Sequence, residues 1–368
     1  MLEPTRREHL TVVVVGGGQA GLASGYHLKR SGVQFAILDR HPRIGDSWRR
    51  RWSSLKLFTP ARIDGLPGMA FPAPSDEHPS RDAMADFLEQ YARSFDLPVR
   101  SNAVVRRLLA RADHFELDLG EGSLTADQVI IATGSNQVPK VPDFARELDP
   151  AIRQLTAASY SSPSDLAPGA VLVIGAGNSG SEVALEAASA GHRVMLSGRD
   201  TGKGNPKLFG RVPWWIGQVL LTKSTPMGRR MTARMAAGGA PRFWIEAADF
   251  ERAGVERVGR TVGTEAGRPR LDDGTMADVG TVIWCAGFKQ DFDWITPRVV
   301  DDSGRALHER GVSSVQRGLY FVGLPFQYSV ASALVGGVSR DARYVVRHVV
   351  RQQGRTVDRR AVRPLVSA

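Results

Sequence analysis

The sequence predicts an α/β protein built of two doubly wound units, one inserted into the other. Three observations carry that prediction. Residues 11–16, "TVVVVG", are a β-branched run that passes straight into the glycine-rich turn "GGGQAG". A second stretch of the same design, "VLVIGAGNSG", begins at residue 171. At closely similar spacing after each copy comes a strand that ends in a glycine turn, "ADQVIIATGS" at 126–135 and "VGTVIWCAGF" at 279–288.

Each element has its own reason. The run at 11–16 lacks polar alternation, which is how a parallel strand buried on both faces reads. It is closed by Gly16, Gly18 and Gly21; "LASGYHLKRSG" then continues as a helix to Gly32, and "QFAILDR" is the next strand. The second copy repeats the order, with strand 171–174, Gly175, Gly177 and Gly180, an alanine- and glutamate-rich helix to Gly191, and the strand "RVMLSG". Residues 318–350, "GLYFVGLPFQYSVASALVGGVSRDARYVVRHVV", read as strand, loop and long helix without a fingerprint of their own. They are expected to return and complete the first unit, since insertions are tolerated where an insert's ends lie close together. The expected division is therefore 1–163, 164–295 and 296–368. Linkers show at "NQVPKVPDF" and "SPSDLAPG", where proline and small polar residues break both periodicities. Residues 205–245 hold three of the seven tryptophans beside arginines. Three readings stay open for them: a substrate lid, a membrane-surface contact, or an amphipathic excursion packing on its own unit. The chain after Val350 is expected to be a fraying basic terminus.

Composition narrows the function. The net charge of +10 is spread along the chain without a pure basic block, which favours a solvated basic surface over a nucleic-acid face and suits phosphate-bearing cofactors and acidic substrates. With the single cysteine Cys285, neither an internal disulfide nor a C-x-x-C redox pair can form. No window approaches the roughly eighteen apolar residues of a membrane span, and the glycines after "TVVVV" argue against a secretory signal, so a cytoplasmic protein is expected. The eight histidines show no paired-ligand spacing, so no metal site is expected.

The glycines carry the chemistry. In a Rossmann-type G-x-G-x-x-G turn the first glycine makes the bend, the second admits a pyrophosphate and the third lets helix pack on strand. The anion then sits on the helix N-terminus. The strands beyond the two loops end differently. After the first loop, the strand ends in Asp39, twenty-three residues beyond Gly16, where a carboxylate can bind a ribose diol. After the second, Ser197 and Arg199 stand in that place; arginine pairs with a 2′-phosphate that a carboxylate would repel. The first site is accordingly assigned a phosphate-free ribose and the second NADPH. Two dinucleotides in one chain imply electron transfer, with a flavin in one site. Between them lies "GDSWRRRWSSLKLFTP", whose tryptophans and arginines suit a flavin, although a folded surface loop would also account for them.

The loop at 16–21, "GDSWRRRWSSLKLFTP", "IIATGS", the loop at 175–180 with Asn178 and Ser179, "WCAGF" and "GLYFVGLPFQYSVASALVGGVSRDA" together resemble, in order over roughly residues 11–350, the small bacterial branch of the group B flavin-containing monooxygenases, relatives of the plant auxin-forming flavin monooxygenases. The resemblance implies two Rossmann-like domains, an NADPH domain inserted into an FAD domain. It further implies FAD reduced by NADPH, a flavin C4a-hydroperoxide formed with molecular oxygen, and transfer of one oxygen atom to a small-molecule heteroatom or carbonyl substrate. By matching position, Gly16, Gly18, Gly21, Asp39, Arg40, Trp48, Thr133, Gly134 and Gly323 belong to the FAD site. Gly175, Gly177, Asn178, Ser179, Gly180, Ser197, Arg199 and Gly287 belong to the NADPH site. The oxidant belongs to the cofactor, so no catalytic residue is assigned.

Two departures stand out. Of the family's F-x-G-x-x-x-H-x-x-x-[YF] motif only Tyr160 remains, with Pro150, Ile152 and Thr156 at the other marked positions, and Pro60 aligns where many members place an asparagine near the flavin. Both leave room for a peroxide-leaking oxidase or an unusual oxygenation. Two other readings stand beside the oxygenase: an FAD/NADPH reductase serving a quinone or partner protein, and a flavin-containing nucleic-acid binder or redox sensor.

Overall fold

A computed structural model describes residues 8–238 and 241–361. Strand β1 (Glu8–Val15) runs into helix α1 (Gln19–Arg30) and strand β2 (Phe35–Leu38). Helix α2 (Arg81–Ser94) starts where the Ser80 hydroxyl accepts the Ala83 N–H at 3.1 Å, a side-chain N-cap. Strand β3 (Val99–Arg100), the hairpin β4 (Arg107–Ala110) and β5 (Phe115–Asp118), and β6 (Ser123–Ile131) come next. The second glycine loop sits within β7 (Arg153–Thr156), β8 (Val171–Ile174), α3 (Asn178–Ser189) and β9 (Val194–Ser197). Helices α4 (Arg211–Leu220) and α5 (Pro226–Gly238) occupy most of the tryptophan-bearing segment. Helix α6 (Ala247–Ala253) stops at Gly254, whose φ of 70° is the left-handed cap glycine allows. Strands β10 (Glu256–Val258), β11 (Thr281–Trp284) and β12 (Leu319–Phe321), with further short strands between them, and helix α7 (Val335–Ala361) follow.

Two large sheets result, with nearly the same strand plan, beside two small two-stranded ones. The parallel strands of the first run β3-β2-β1-β6-β12, with β5 added antiparallel along the early half of β6 and β4 antiparallel to β5. The second runs β10-β9-β8-β11-β7, all parallel. In both, the strand before the glycine loop lies between the strand after its helix and the strand that ends in the later glycine turn. β1 is buried on both sides because each side has a cover: Val12 and Val14 face helices α1, α2 and α7, while Leu10, Val13 and Val15 face the β4–β5 hairpin and residues 292–299. Strand β7, "RQLT", lies before residue 163 yet pairs with β11 in the second sheet. A short polar edge strand offers no alternation to read, which is why the sequence reading places it with the first unit.

The stretch after Val350 also differs from expectation. The basic tail after Val350 continues α7 as helix to Ala361, because the stripe Val338, Ala342, Val345, Val346 and Val349 is buried and anchors the helix beside α1. Within the first loop, Gly16 has φ 111° and a Cβ there would stand 2.5 Å from the Ala132 carbonyl oxygen, whereas a Cβ on Gly18 meets nothing within 4 Å. Gly16→Ala is therefore expected to cost more than about 2 kcal/mol in denaturant unfolding, while Gly18→Ala stays within about 1 kcal/mol of the parent.

Candidate functional site

The C-terminal ends of β1, β6 and β12 meet at the first glycine loop. Ala132, just past β6, abuts Gly16, and Gly323, just past β12 with φ 87°, sits so near Ala20 that a Cβ would fall 2.8 Å from its methyl. Thr133 and Gly134 are held by Gln137, whose amide donates to Thr133 Oγ1 at 2.8 Å and to the Gly134 carbonyl at 2.9 Å. Helix α1 begins at Gly18 with no side chain capping it and no acidic residue in its first turn. Its leading N–H groups and the open space at Gly18 form a cradle that fits a pyrophosphate. Asp39 ends β2 nearly buried; its carboxylate accepts the Gly17 N–H at 2.6 Å and the His41 N–H at 2.7 Å, one on each oxygen. Each oxygen keeps a lone pair for a ribose hydroxyl. Arg40 is exposed beside it.

The second loop repeats this geometry closely. Gly175 has φ 112°, and its Cβ would meet the Cys285 carbonyl at 2.3 Å, as Gly16 meets Ala132. Gly177 starts α3 in open space without a side-chain cap, Ser179 is half-buried in the first turn, and Gly180 lies against Gly175. Gly287 comes later with φ 89°, exposed. The sequence-read residues then part. Asn178 donates its amide to the Pro241 carbonyl at 3.2 Å. Ser197 is fully buried, donating to Gly259 O at 2.8 Å and accepting the Thr261 N–H at 2.9 Å, so it fastens β9 to the chain after β10. Arg199 is exposed at the strand end.

Two arginines that the sequence did not single out join it there. Arg242 pairs with Asp200 at 2.9 Å, and Arg257 donates to the Gly198 carbonyl at 2.8 Å. Asp200 is held below the usual carboxylate range chiefly by the Gly202 N–H, then by Arg242 and Arg257. Burial, with Arg242 alongside, draws the Arg257 pKa down. Arg242 and Arg257 thus bring guanidinium groups to the strand end that carries Arg199. No local spacing could have found them, since Arg242 and Arg257 arrive from distant segments.

The tryptophan–arginine loop lies between the two units. Arg49 is spent on structure, donating to Ile44 O, Asp46, Asp86 and Glu89. Trp48 is half-buried against the first core. Arg51 lies 5.5 Å from the Phe288 ring, and its burial lowers its pKa. Ser53 Oγ donates to Glu186 of α3 at 2.6 Å, and the Ser54 N–H donates to the same oxygen at 3.0 Å, stitching this loop to the second unit. Next to that stitch, burial pushes the Glu182 carboxyl up to about 8, with the indoles of Trp52 and Trp244 pulling it partly back and Glu186 adding to the rise. Tyr160, kept from the family motif, is fully buried with its hydroxyl unpartnered, its pKa raised by burial and then by Glu186. Thr156 instead closes a turn, accepting the Ala158 and Ser159 N–H groups.

A cavity of about 450 Å³ opens beside the loop after Pro60, lined by Arg62, Ile63, Gly65, Leu66, Met69, Ala70, Trp214 and Gly336. That is within the range of small-molecule sites. Asp64 stands between the lining residues Ile63 and Gly65, fully buried: Oδ1 accepts the Thr59 hydroxyl at 2.6 Å and Oδ2 has no partner. Burial pushes its carboxyl up to about 7, opposed by the Thr59 bond. No sequence signal marks it, because an aspartate before a glycine reads as a turn.

Residues 13–223 match the family described as "Pyridine nucleotide-disulphide oxidoreductase". The chain is 38% identical over 342 residues, 92% of its own length and 98% of the relative's, to the "Uncharacterized oxidoreductase CzcO-like" of Geobacillus kaustophilus. It is 28% identical to the indole-3-pyruvate monooxygenase YUCCA1 of Oryza sativa, covering 84% of this chain and 86% of that one. The solved flavin-containing monooxygenase from Stenotrophomonas maltophilia superposes with a TM-score of 0.73 at 27% identity, over 94% of this chain and 99% of that one. With two glycine-loop units on one scaffold, the chain belongs to the pyridine nucleotide-disulphide oxidoreductase family and, within it, to the group B flavin monooxygenases.

Proposed function

We propose that this flavin monooxygenase binds FAD at the first loop and NADPH at the second, and transfers one oxygen atom of O2 to a small molecule bearing a soft heteroatom or a carbonyl. The observation that carries the reading is the contrast at two otherwise matching strand ends: Asp39 at one, and Arg199 with Arg242 and Arg257 at the other. A carboxylate suits an unphosphorylated ribose, and a guanidinium group suits a 2′-phosphate. On this reading residues 1–163 and 296–368 form the FAD domain around 164–295, with β7 joining the second sheet.

When bound, the flavin supplies the redox and oxygen chemistry. The residues of the chain bind, orient and exclude water. Gly16, Gly18 and Gly21 bring α1 to the pyrophosphate, with Thr133, Gly134 and Gly323 closing the strand ends around it. Gly175, Gly177, Ser179 and Gly180 do the same for the second dinucleotide. Trp48 packs on the core and Arg51 lies over Phe288, while the Ser53–Glu186 contact ties this loop to the second unit. The cavity receives the substrate, and Asp64, buried between its lining residues Ile63 and Gly65, carries a carboxyl whose pKa lies near neutral, where a general acid or base is most effective.

The thiol argues against a disulfide reductase. Cys285 is the only cysteine, and burial pushes its thiol up to about 12, leaving almost no thiolate at neutral pH.

The reading is tested by following NADPH, oxygen and peroxide together while amines, sulfides and ketones are added. Oxygenated product matching NADPH consumed is expected; peroxide alone with every substrate would overturn the oxygenase assignment. Gly18→Ala is expected to purify folded but with little FAD, seen as lost visible absorbance. Arg199→Ala should raise KM for NADPH on the order of tenfold while leaving that for NADH nearly unchanged. Asp64 has a folded pKa near 7 against 3.8, so its native form is the protonated one. Its stabilisation is complete below about pH 4 and is lost as pH rises through 7. Asp64→Asn should therefore raise Tm above pH 7, by roughly 2–4 °C, with the difference vanishing in acid.

A further inference from the structure

Between Thr201 and Ile245 the chain has no Asp or Glu, against eight Lys and Arg. Within this stretch α4 turns an apolar stripe outward. Val212, Trp215, Ile216 and Val219 fall at i, i+3, i+4 and i+7, one face of a helix, and are 66, 67, 42 and 43% exposed. Leu208, Leu220 and Met227 extend the patch, also exposed. A helix of a soluble domain ordinarily turns such a stripe inward. Here the inner side is taken by Trp214, which packs near Phe209 at 6.1 Å and lines the cavity. Lys207, Arg229 and Arg230 are exposed around the patch.

We propose that this face docks on the surface of an anionic lipid bilayer, with α4 lying in the interface plane and its apolar stripe entering the acyl boundary. Two features select that occupant, and two alternatives fit less well. Tryptophan beside aliphatic side chains, ringed by lysine and arginine, is the composition of an interfacial helix. An acid-free basic segment is complementary to anionic headgroups. A second copy is disfavoured, because a two-fold contact would set the same cations against each other. A duplex would gain nothing from valine, isoleucine and leucine at the centre of the patch. Among the described residues no helix is long and apolar enough to cross a membrane, so the contact is peripheral. Since Trp214 lines the cavity and Trp215 belongs to the patch, docking would set the cavity wall beside the bilayer.

Flotation of the full chain with phosphatidylcholine vesicles, and with vesicles that also contain phosphatidylglycerol, tests this without reference to turnover. Binding is expected to the anionic vesicles only, to weaken with salt, and to shift tryptophan emission to shorter wavelength. Trp215→Glu and, separately, Val219→Glu should lower vesicle binding on the order of tenfold, with unchanged thermal unfolding and unchanged NADPH consumption in vesicle-free buffer. Absence of flotation, or flotation that neither variant alters, would overturn the proposal. So would a dimer in size-exclusion chromatography that Trp215→Glu splits, which would give the face to a second copy, or salt-sensitive duplex binding that both variants abolish.

Discussion

Backbone against backbone is the constraint on which the rest of the molecule depends. A Cβ on Gly21 would lie 1.8 Å from the Gly16 carbonyl oxygen, and one on Gly180 would lie 1.7 Å from that of Gly175. Neither approach leaves room for a side chain, so helix and loop can close only on glycine. The closure aims the unpaired N–H groups of α1 and α3 into the space before Gly18 and Gly177. Everything else about the two sites is arranged around that fixed geometry, down to the carbonyl of Ala132 or Cys285 that backs each first glycine.

Because that constraint is written in local residue order, it was legible in the sequence. Strand, three spaced glycines, helix and second strand are contiguous, and each leaves a periodicity or a residue type that nothing else explains as well. The later strands ending at Gly134 and Gly287 were legible for the same reason. What stayed hidden depends on distant segments meeting. Arg242 and Arg257 reach the end of β9 from elsewhere in the chain, and β7 reveals itself only through its pairing with β11. Asn178 and Ser197 sit at the expected positions, yet their side chains hold the loop to Pro241 and β9 to Thr261. Position in a motif told where the residue stands and not what its side chain touches.

The same distinction explains how a family described by disulphide chemistry holds this chain. The dinucleotide scaffold moves electrons toward an acceptor, and the acceptor is decided by what lies between the units. Here that place is filled by Trp52, Tyr160, Glu182 and Glu186 together with the Ser53 contact, and the single cysteine supports Gly175 from behind with its backbone carbonyl. Cys285 therefore acts in this fold through its main chain and its bulk. In the sequence the lone cysteine already excludes a redox pair, and in the structure it is packing.

Three carboxyls show where the fold gives up stability. Burial pushes Asp64 to about 7, Glu182 to about 8 and Asp341 to about 6. Each has at least one buried oxygen without a partner, and Asp341 has two. Leaving such an oxygen unpaired costs about 1–3 kcal/mol, and an amide or an apolar side chain would avoid the charge altogether. They are not scattered. Asp64 sits between two residues of the cavity lining, Glu182 at the stitch between units, and Asp341 on α7 facing Ser332, Arg310, Arg340 and Lys223. Groups whose pKa is displaced by desolvation collect where a protein uses protons. Of the three, Asp64 has the strongest claim, because its free oxygen, its hydroxyl partner and the adjoining cavity come together in a single turn of chain. That turn begins at Pro60, where the sequence departs from the asparagine of many family members, and the carboxyl of Asp64 follows four residues further on.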